Sequence, residues 1–302
     1  MAWNPVSSVR LPRQPLLRHL LFAVPAGAVL WYITTRLSSY NDYQVGEIGA
    51  YVVALVGLSL LTGGTGQFSL GNGAFMAVGA YTLALLQNHT AGNFVLELLA
   101  ATGVAAAAGV LIGLPATRLK GPYLAGMTLL FALAVPSIPD KWPNTFGGDQ
   151  GLTTTVPTAP GSIGAEEWLA WIQLLGALIV MVLVANLLSS RFGRAFRAVR
   201  DDEVAASLTG IHVARTKVMA FAISAGCAGL GGALLALSTG VVNTGEFPYP
   251  LSIQLLAAMV LGGTGTIVGM VWGGIRWVWA RVTRPRRGPG DAPSPVPISA
   301  GD

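Results

Sequence analysis

Residues 168–190 read WLAWIQLLGALIVMVLVANLLSS, 23 consecutive positions without a charge. About 20 apolar residues in a helix cross the hydrocarbon core of a bilayer. A second run, residues 98–117 (LLAATGVAAAAGVLIGLPAT), is uncharged over 20 positions. A buried core helix of a soluble protein accounts for one such run but not for a series. Composition points the same way. Of 302 residues, 53% are hydrophobic and only 10% charged, against about 25% charged in soluble domains. The expected fold class is an all-α polytopic membrane protein.

Working outward, spans are expected near residues 18–36, 45–62, 74–90, 94–116, 121–138, 168–189, 218–240 and 253–275. Eight spans put nearly all basic residues on one side. Arg10, Arg13 and Arg18 precede the first span, and Arg118 and Lys120 follow the fourth. Arg191, Arg194, Arg197, Arg200, Arg215 and Lys217 follow the sixth, and Arg276 to Arg287 follow the last. Asp42, Asp140, Asp149, Glu166, Glu167 and Glu246 gather on the other side. By the positive-inside rule the basic side is cytoplasmic, with both termini inside. The net charge of +5 is thus placed at membrane boundaries, which argues against nucleic acid as a partner and for the lipid bilayer. The chain divides into a cytoplasmic segment (1–17), a transmembrane domain (18–275) containing a cytoplasmic loop (190–217), and a basic Pro/Gly-rich tail (276–302) expected to be disordered. The connection 139–166 is external and reads either as a solvated loop or as a lid over an entrance.

Residues 63–73, GGTGQFSLGNG, lie between two apolar runs. A phosphate-binding P-loop needs a lysine, and there is none from 43 to 117. A dinucleotide fingerprint started at Gly64 meets Gly66 and then Ser69 where a third glycine belongs. Two readings remain, a plain turn between spans and a broken helix within the membrane. Irregular backbone survives there only when buried in protein or lining a wet cavity. In the second reading Gly64 and Gly66 permit the break, and Thr65, Gln67, Ser69 and Asn72 satisfy freed amides or a polar solute. The GGTG quartet recurs at 262–265 (Gly262, Gly263, Gly265). Paired Gly-interrupted spans in two halves of a transporter mark a path at the repeat interface.

The loop SRFGRAFRAVRDDEVAASLTGIHVARTK (190–217) is the second carrier of function. Phe192, Phe196 and Val199 are spaced to share one helix face, with Arg194, Arg197 and Arg200 off it. Asp201, Asp202 and Glu203 precede a second short helical stretch that ends at Gly210. Such a segment suits docking to a soluble partner. A basic helix resting on anionic lipid fits less well, because of the acidic trio.

Nothing points to catalysis. His19, His89 and His212 are scattered, Cys227 stands alone, and there is no metal-ligand spacing. The central parts of the spans offer almost no ionisable relay for a proton-coupled carrier.

Four blocks, GLSLLTGGTGQFSLGNGAFMAVGAYTLALL (57–86), RLKGPYLAGMTLLFA (118–132), GRAFRAVRDDEVAASLTGIHVARTKVMAFAISAGCAGLGGAL (193–234) and MVLGGTGTIVG (259–269), resemble the permeases of branched-chain amino acid ABC transporters, the LivM-like family. The urea and short-chain amide branch is similar. The resemblance implies an ABC importer permease fold in a bacterial inner membrane. It also implies a second permease subunit, two cytoplasmic ATPases that bind the ATP, an external solute-binding protein, and no cofactor on this chain. Alternating access is the implied mechanism, with leucine-like amino acids, urea or amides as solutes; a channel or secondary carrier would not need the 190–217 loop. Ala205, Ala206 and Gly210 match the spacing of the family's coupling element, with Val204 at the usual acidic position and Glu203 one residue earlier. After residue 269 the chain departs from the family. Met270 stands where proline is usual, and WGGIRWVWARVTRPRRGPG takes the place of the final apolar spans.

Overall fold

The computed structural model describes residues 39–89, 92–119, 121–159 and 164–262. The expected first span, both terminal segments and the part of the last span beyond residue 262 lie outside them. The chain forms α1 (Ser39–Thr65), α2 (Asn72–His89), α3 (Phe94–Ala116), α4 (Pro122–Ala134), the short α5 (Ser137–Lys141) and α6 (Pro143–Phe146), β1 (Leu152–Thr153), α7 (Ala165–Ser189), α8 (Arg191–Asp201), α9 (Glu203–Leu208), α10 (Val213–Thr239), β2 (Val241–Val242) and α11 (Tyr249–Gly262). Among the described residues, four helices are long and apolar enough to cross a membrane: α1 from Asn41, α3, α7 and α10. The helix α4 is shorter than the expected span 121–138: it stops at Ala134, and Pro136, which has no amide to continue it, caps α5.

The helix α10 is the axis, packed against α1, α2 and α3, while α7 packs mainly on α1 and touches α10 more lightly. Lipid tails give apolar helices no hydrophobic reason to associate, so close packing must hold them. The sequence SAGCAGLGGAL (224–234) supplies the small residues for this. Gly79 of α2 sits on the backbone of Gly229, and Gly232 on the backbone of Met76. On the α1 side, a Cβ added to Gly231 would stand 2.7 Å from the Ala50 carbonyl oxygen. Gln173 of α7 crosses the bundle, donating through Nε2 to the Leu234 carbonyl at 2.7 Å and to the Ser238 hydroxyl.

At the acidic end the 139–166 connection is fastened down. Its β1 pairs antiparallel with β2, Leu152 opposite Val242 and Thr153 opposite Val241. Thr154 donates its amide to the Gly240 carbonyl (2.9 Å) and its hydroxyl to the Ala236 carbonyl (2.7 Å). Gln87 near the end of α2 forms a two-way amide pair with Thr155, at 3.1 and 3.0 Å. The connection is therefore a cap stitched to the ends of α2 and α10.

The start of α2 lies deep in the bundle. Asn72 donates from Nδ2 to the carbonyl of Ala54 at 3.1 Å. Ala54 is 11 residues short of Thr65, a helical rise of roughly 16 Å. The chain thus leaves α1 at the basic end, climbs back in extended form, and only then begins α2.

Candidate functional site

Within the stretch 63–73 the non-helical backbone is confined to residues 66–71. The helix α1 continues through Gly63, Gly64 and Thr65, with Thr65 Oγ1 donating back to the Leu61 carbonyl at 2.7 Å. It stops at Gly66, whose φ of +72° is a left-handed conformation that costs glycine little. From there to Gly71 the chain is non-helical and alternates as a strand does. Gln67, Ser69 and Gly71 are buried, whereas Gly66 and Phe68 are exposed and Leu70 is half-buried.

Freed amides buried in protein need acceptors, and hydroxyl groups supply them. Leu70 N–H donates to Thr128 Oγ1 of α4 (2.9 Å), Gly71 N–H to Ser69 Oγ (3.2 Å), and Gly73 N–H to Ser252 Oγ of α11 (2.9 Å). The first turns of α2 and α11 therefore abut. Thr62 Oγ1 donates to the Gln67 carbonyl (3.2 Å) and Thr65 Oγ1 contacts Gln67 Oε1 (3.3 Å). Gln67 Nε2 and Asn72 Oδ1 are buried without a hydrogen-bond partner. Gly64 is buried against Leu188 and Phe196. Of the second quartet, Gly262 ends α11, and Gly263 and Gly265 lie outside the described residues.

The loop 190–217 folds as two short helices at the basic end. Ser190 caps α8, accepting from the Phe192 amide at 3.1 Å. The buried face of α8 is Gly193, Phe196 and Val199. Phe192, expected on that face, is instead 38% exposed, with the Arg191 guanidinium over its ring at 5.1 Å. It stands in the first turn, where Gly193 presses against the Leu188 backbone and leaves no room beneath.

Most of the charges expected to face a partner are engaged within the chain. Arg197 donates to the Leu188 carbonyl at the end of α7 (3.1 Å). Arg200 donates from Nη1 to the Gly63 carbonyl (2.9 Å) and pairs with Asp201 Oδ1 through Nη2 (3.1 Å). Asp202 is the N-cap of α9, accepting from the Val204 amide (2.7 Å) and the Ala205 amide (3.1 Å). Glu203 binds Lys217 at the root of α10 at 2.7 Å, with Lys217 only 3% exposed. Arg194 remains at the surface.

The surface that α9 presents is apolar. Val204 is 70% and Leu208 84% exposed, one helical turn apart. Ala205, Ser207, Thr209 and Gly210 are exposed around them, while Ala206 turns inward. Gly210 has φ +84° and open space where a Cβ would stand. Sequence reasoning missed Thr128, Ser252, Lys217 and Leu208. The available signals were weak: a lone hydroxyl inside an apolar run for the first two, and a lysine heading an apolar run for the third. Leu208 carried none, since an exposed leucine looks like any other.

Residues 43–283 match the family described as branched-chain amino acid transport system, permease component. The chain is 34% identical to the Salmonella typhimurium high-affinity branched-chain amino acid transport system permease protein LivM, over 86% of this chain and 67% of that protein. It is 35% identical to the Escherichia coli LivM, over 76% of this chain and 60% of that protein. The Salmonella typhimurium permease LivH is 32% identical over a shorter stretch, 44% of this chain and 42% of that protein. The chain thus spans about two thirds or less of the length of the LivM relatives. No solved structure matches it. A match that covers most of the chain, with helices made to cross a membrane, places this multi-pass membrane protein in the branched-chain amino acid transport permease family, and within it the chain is LivM-like.

Proposed function

We propose that the chain is the permease subunit of an ATP-driven importer of branched-chain or related amino acids, working by alternating access and coupled to separate cytoplasmic ATPases. The observation that carries this reading is the α8–α9 unit. A short helix offers Val204 and Leu208 to solvent while its own root is held to the bundle by Glu203–Lys217. Exposed apolar side chains on a rigid, charged base suit a helix that seats in the groove of another protein. The relatives' names support the solute class. The LivH match supports a second, related permease subunit beside this one. An external solute-binding protein, an inner-membrane location and cytoplasmic termini belong to the same reading. ATP-driven closure of the ATPases would push α9, and Lys217 would carry the push into α10, which touches α1, α2 and α3. The deep break at 66–71 would then open or close a path beside the starts of α2 and α11.

The test is co-purification and uptake. Leu208→Asp and Val204→Asp should lose the ATPases while the permease still inserts, because a charge replaces the apolar contact. Uptake of labelled leucine into reconstituted vesicles should be competed by isoleucine and valine and not by urea or acetamide. Retention of the ATPases by both variants, or competition by urea alone, would refute the assignment.

A further inference from the structure

We propose that Arg200 is a positioning residue that ties the α8–α9 unit to the start of the membrane break, so that displacement of α8 moves residues 63–71. The inference rests on the reading of α8–α9 as the docking unit, and its test separates the two.

The last carbonyls of a helix have no partner within it. In α1 the Thr62 carbonyl is taken by the Gly66 amide at 3.0 Å. The next one, Gly63, receives the Arg200 guanidinium at 2.9 Å across 137 residues of sequence. A cation there also opposes the negative end of the α1 dipole. The aliphatic stem of Arg200 lies over Gly66, where an added Cβ would come within 3.1 Å of its Cγ. The guanidinium is held from behind by Asp201, through Nε at 3.2 Å and Nη2 at 3.1 Å. The fork therefore has a fixed direction, its stem on the hinge glycine and its head on the first α1 carbonyl past the Thr62–Gly66 bond.

Elsewhere α8 is bound to α7 and, through Phe196 packed on Gly64, makes an apolar contact with α1. Gly193 presses on the Leu188 backbone, and Arg197 donates to the Leu188 carbonyl at 3.1 Å. The helix α8 thus moves with the end of α7, and Arg200 carries its polar grip on α1. Where Gly63 goes, the extended stretch beginning at Gly66 must follow, because two residues separate them. Arginine suits this post better than lysine, since its planar head donates to the carbonyl and the carboxylate at once.

The experiment uses the full chain with its ATPases in proteoliposomes, in wild-type, Arg200→Ala and Arg200→Lys forms. With Arg200→Ala we expect the ATPases to remain bound and to hydrolyse ATP, while solute moved per ATP falls by about threefold to tenfold, the range for losing one partly exposed charge-assisted hydrogen bond. Arg200→Lys should fall between the two. A second measurement needs no ATPase. A cysteine replacing Leu70, which is half-buried in the break, should react with a maleimide several-fold faster when Arg200 is alanine. Unchanged transport per ATP with unchanged labelling would overturn the proposal. Loss of ATPase binding by Arg200→Ala with unchanged labelling would also overturn it, making Arg200 an ordinary docking contact. Faster labelling on Arg200→Ala, in a chain that with Arg200 intact never binds the ATPases, would uphold the positioning role and sink the docking reading instead.

Discussion

Replacing Gly231 by alanine should pry α1 from α10, whereas the same replacement at Gly226, on the same helix, should be harmless. Both glycines lie inside α10, so changes in helix propensity cancel between the two variants. What differs is what the new methyl meets. At Gly231 a Cβ would stand 2.7 Å from the Ala50 carbonyl oxygen and 3.2 Å from Ala54 N. A carbon and a carbonyl oxygen normally come no closer than about 3.3 Å, so the helices must part by roughly half an ångström. The obstacle is backbone and cannot swing away. A gap of that size already forfeits about a quarter of the dispersion energy of the atoms facing it. Overpacking of this kind costs about 1–3 kcal/mol. At Gly226 the nearest atoms are the Ala106 Cβ at 3.4 Å and Thr102 Cγ2 at 3.6 Å, ordinary contact distances. Unfolding each purified variant by titration with a denaturing detergent, followed by tryptophan fluorescence, reads the difference directly. Equal stability of the two variants, or a larger loss at Gly226, would refute the claim that backbone approach holds α10 in place.

Two further outcomes follow from the same geometry. Glu203→Gln leaves the Lys217 ammonium buried without its counter-charge and should destabilise the root of α10 by about 1–3 kcal/mol, discounted for the partial exposure of Glu203; adding Lys217→Met should restore most of the loss, and a double variant no better than the single one would remove the ion pair from the account. Single cysteines at Ser207 and Thr153, both exposed and at opposite ends of the bundle, should label from opposite sides of the membrane, and labelling of both from one side would contradict the charge-derived orientation.

The helices were legible because each carries its signal locally. An uncharged run of the right length needs no partner to be recognised, and α3, α7 and α10 begin and end within a few residues of their expected bounds. The GGTG stretch was legible only as a turn or a break, because the nucleotide readings fail on named positions. Its depth was not, since that depends on Asn72 reaching Ala54 and on hydroxyls at Thr128 and Ser252, far away in sequence. The charged loop shows the opposite failure. Its arginines and acids look alike in one dimension, yet Asp202 caps a helix and Glu203 and Arg200 tie α9 and α8 back onto the bundle. The exposed apolar pair on α9, Val204 and Leu208, was hidden by its ordinariness. The fastening of 139–166 escaped notice because its strands are two residues long, too short for any periodicity to register.

The deep start of α2 has a consequence for biogenesis. An 18-residue helix that opens with Asn72 and closes with Gln87, Asn88 and His89 offers the translocon a poor insertion signal, since polar ends subtract from an already short apolar stretch. Its hold on the bilayer comes from neighbours: Ala54 of α1, made just before it, and Gly229 and Gly232 of α10, made long after. Residues 90–212 must be synthesised before α10 appears, about ten seconds at ribosomal speed. Through that interval α2 gains α3 and α4 as neighbours but lacks the α10 wall of its final socket. Nascent chains halted before α10 should therefore expose α2 to membrane proteases, and the cell's choice between assembling and degrading this permease would be made in that window.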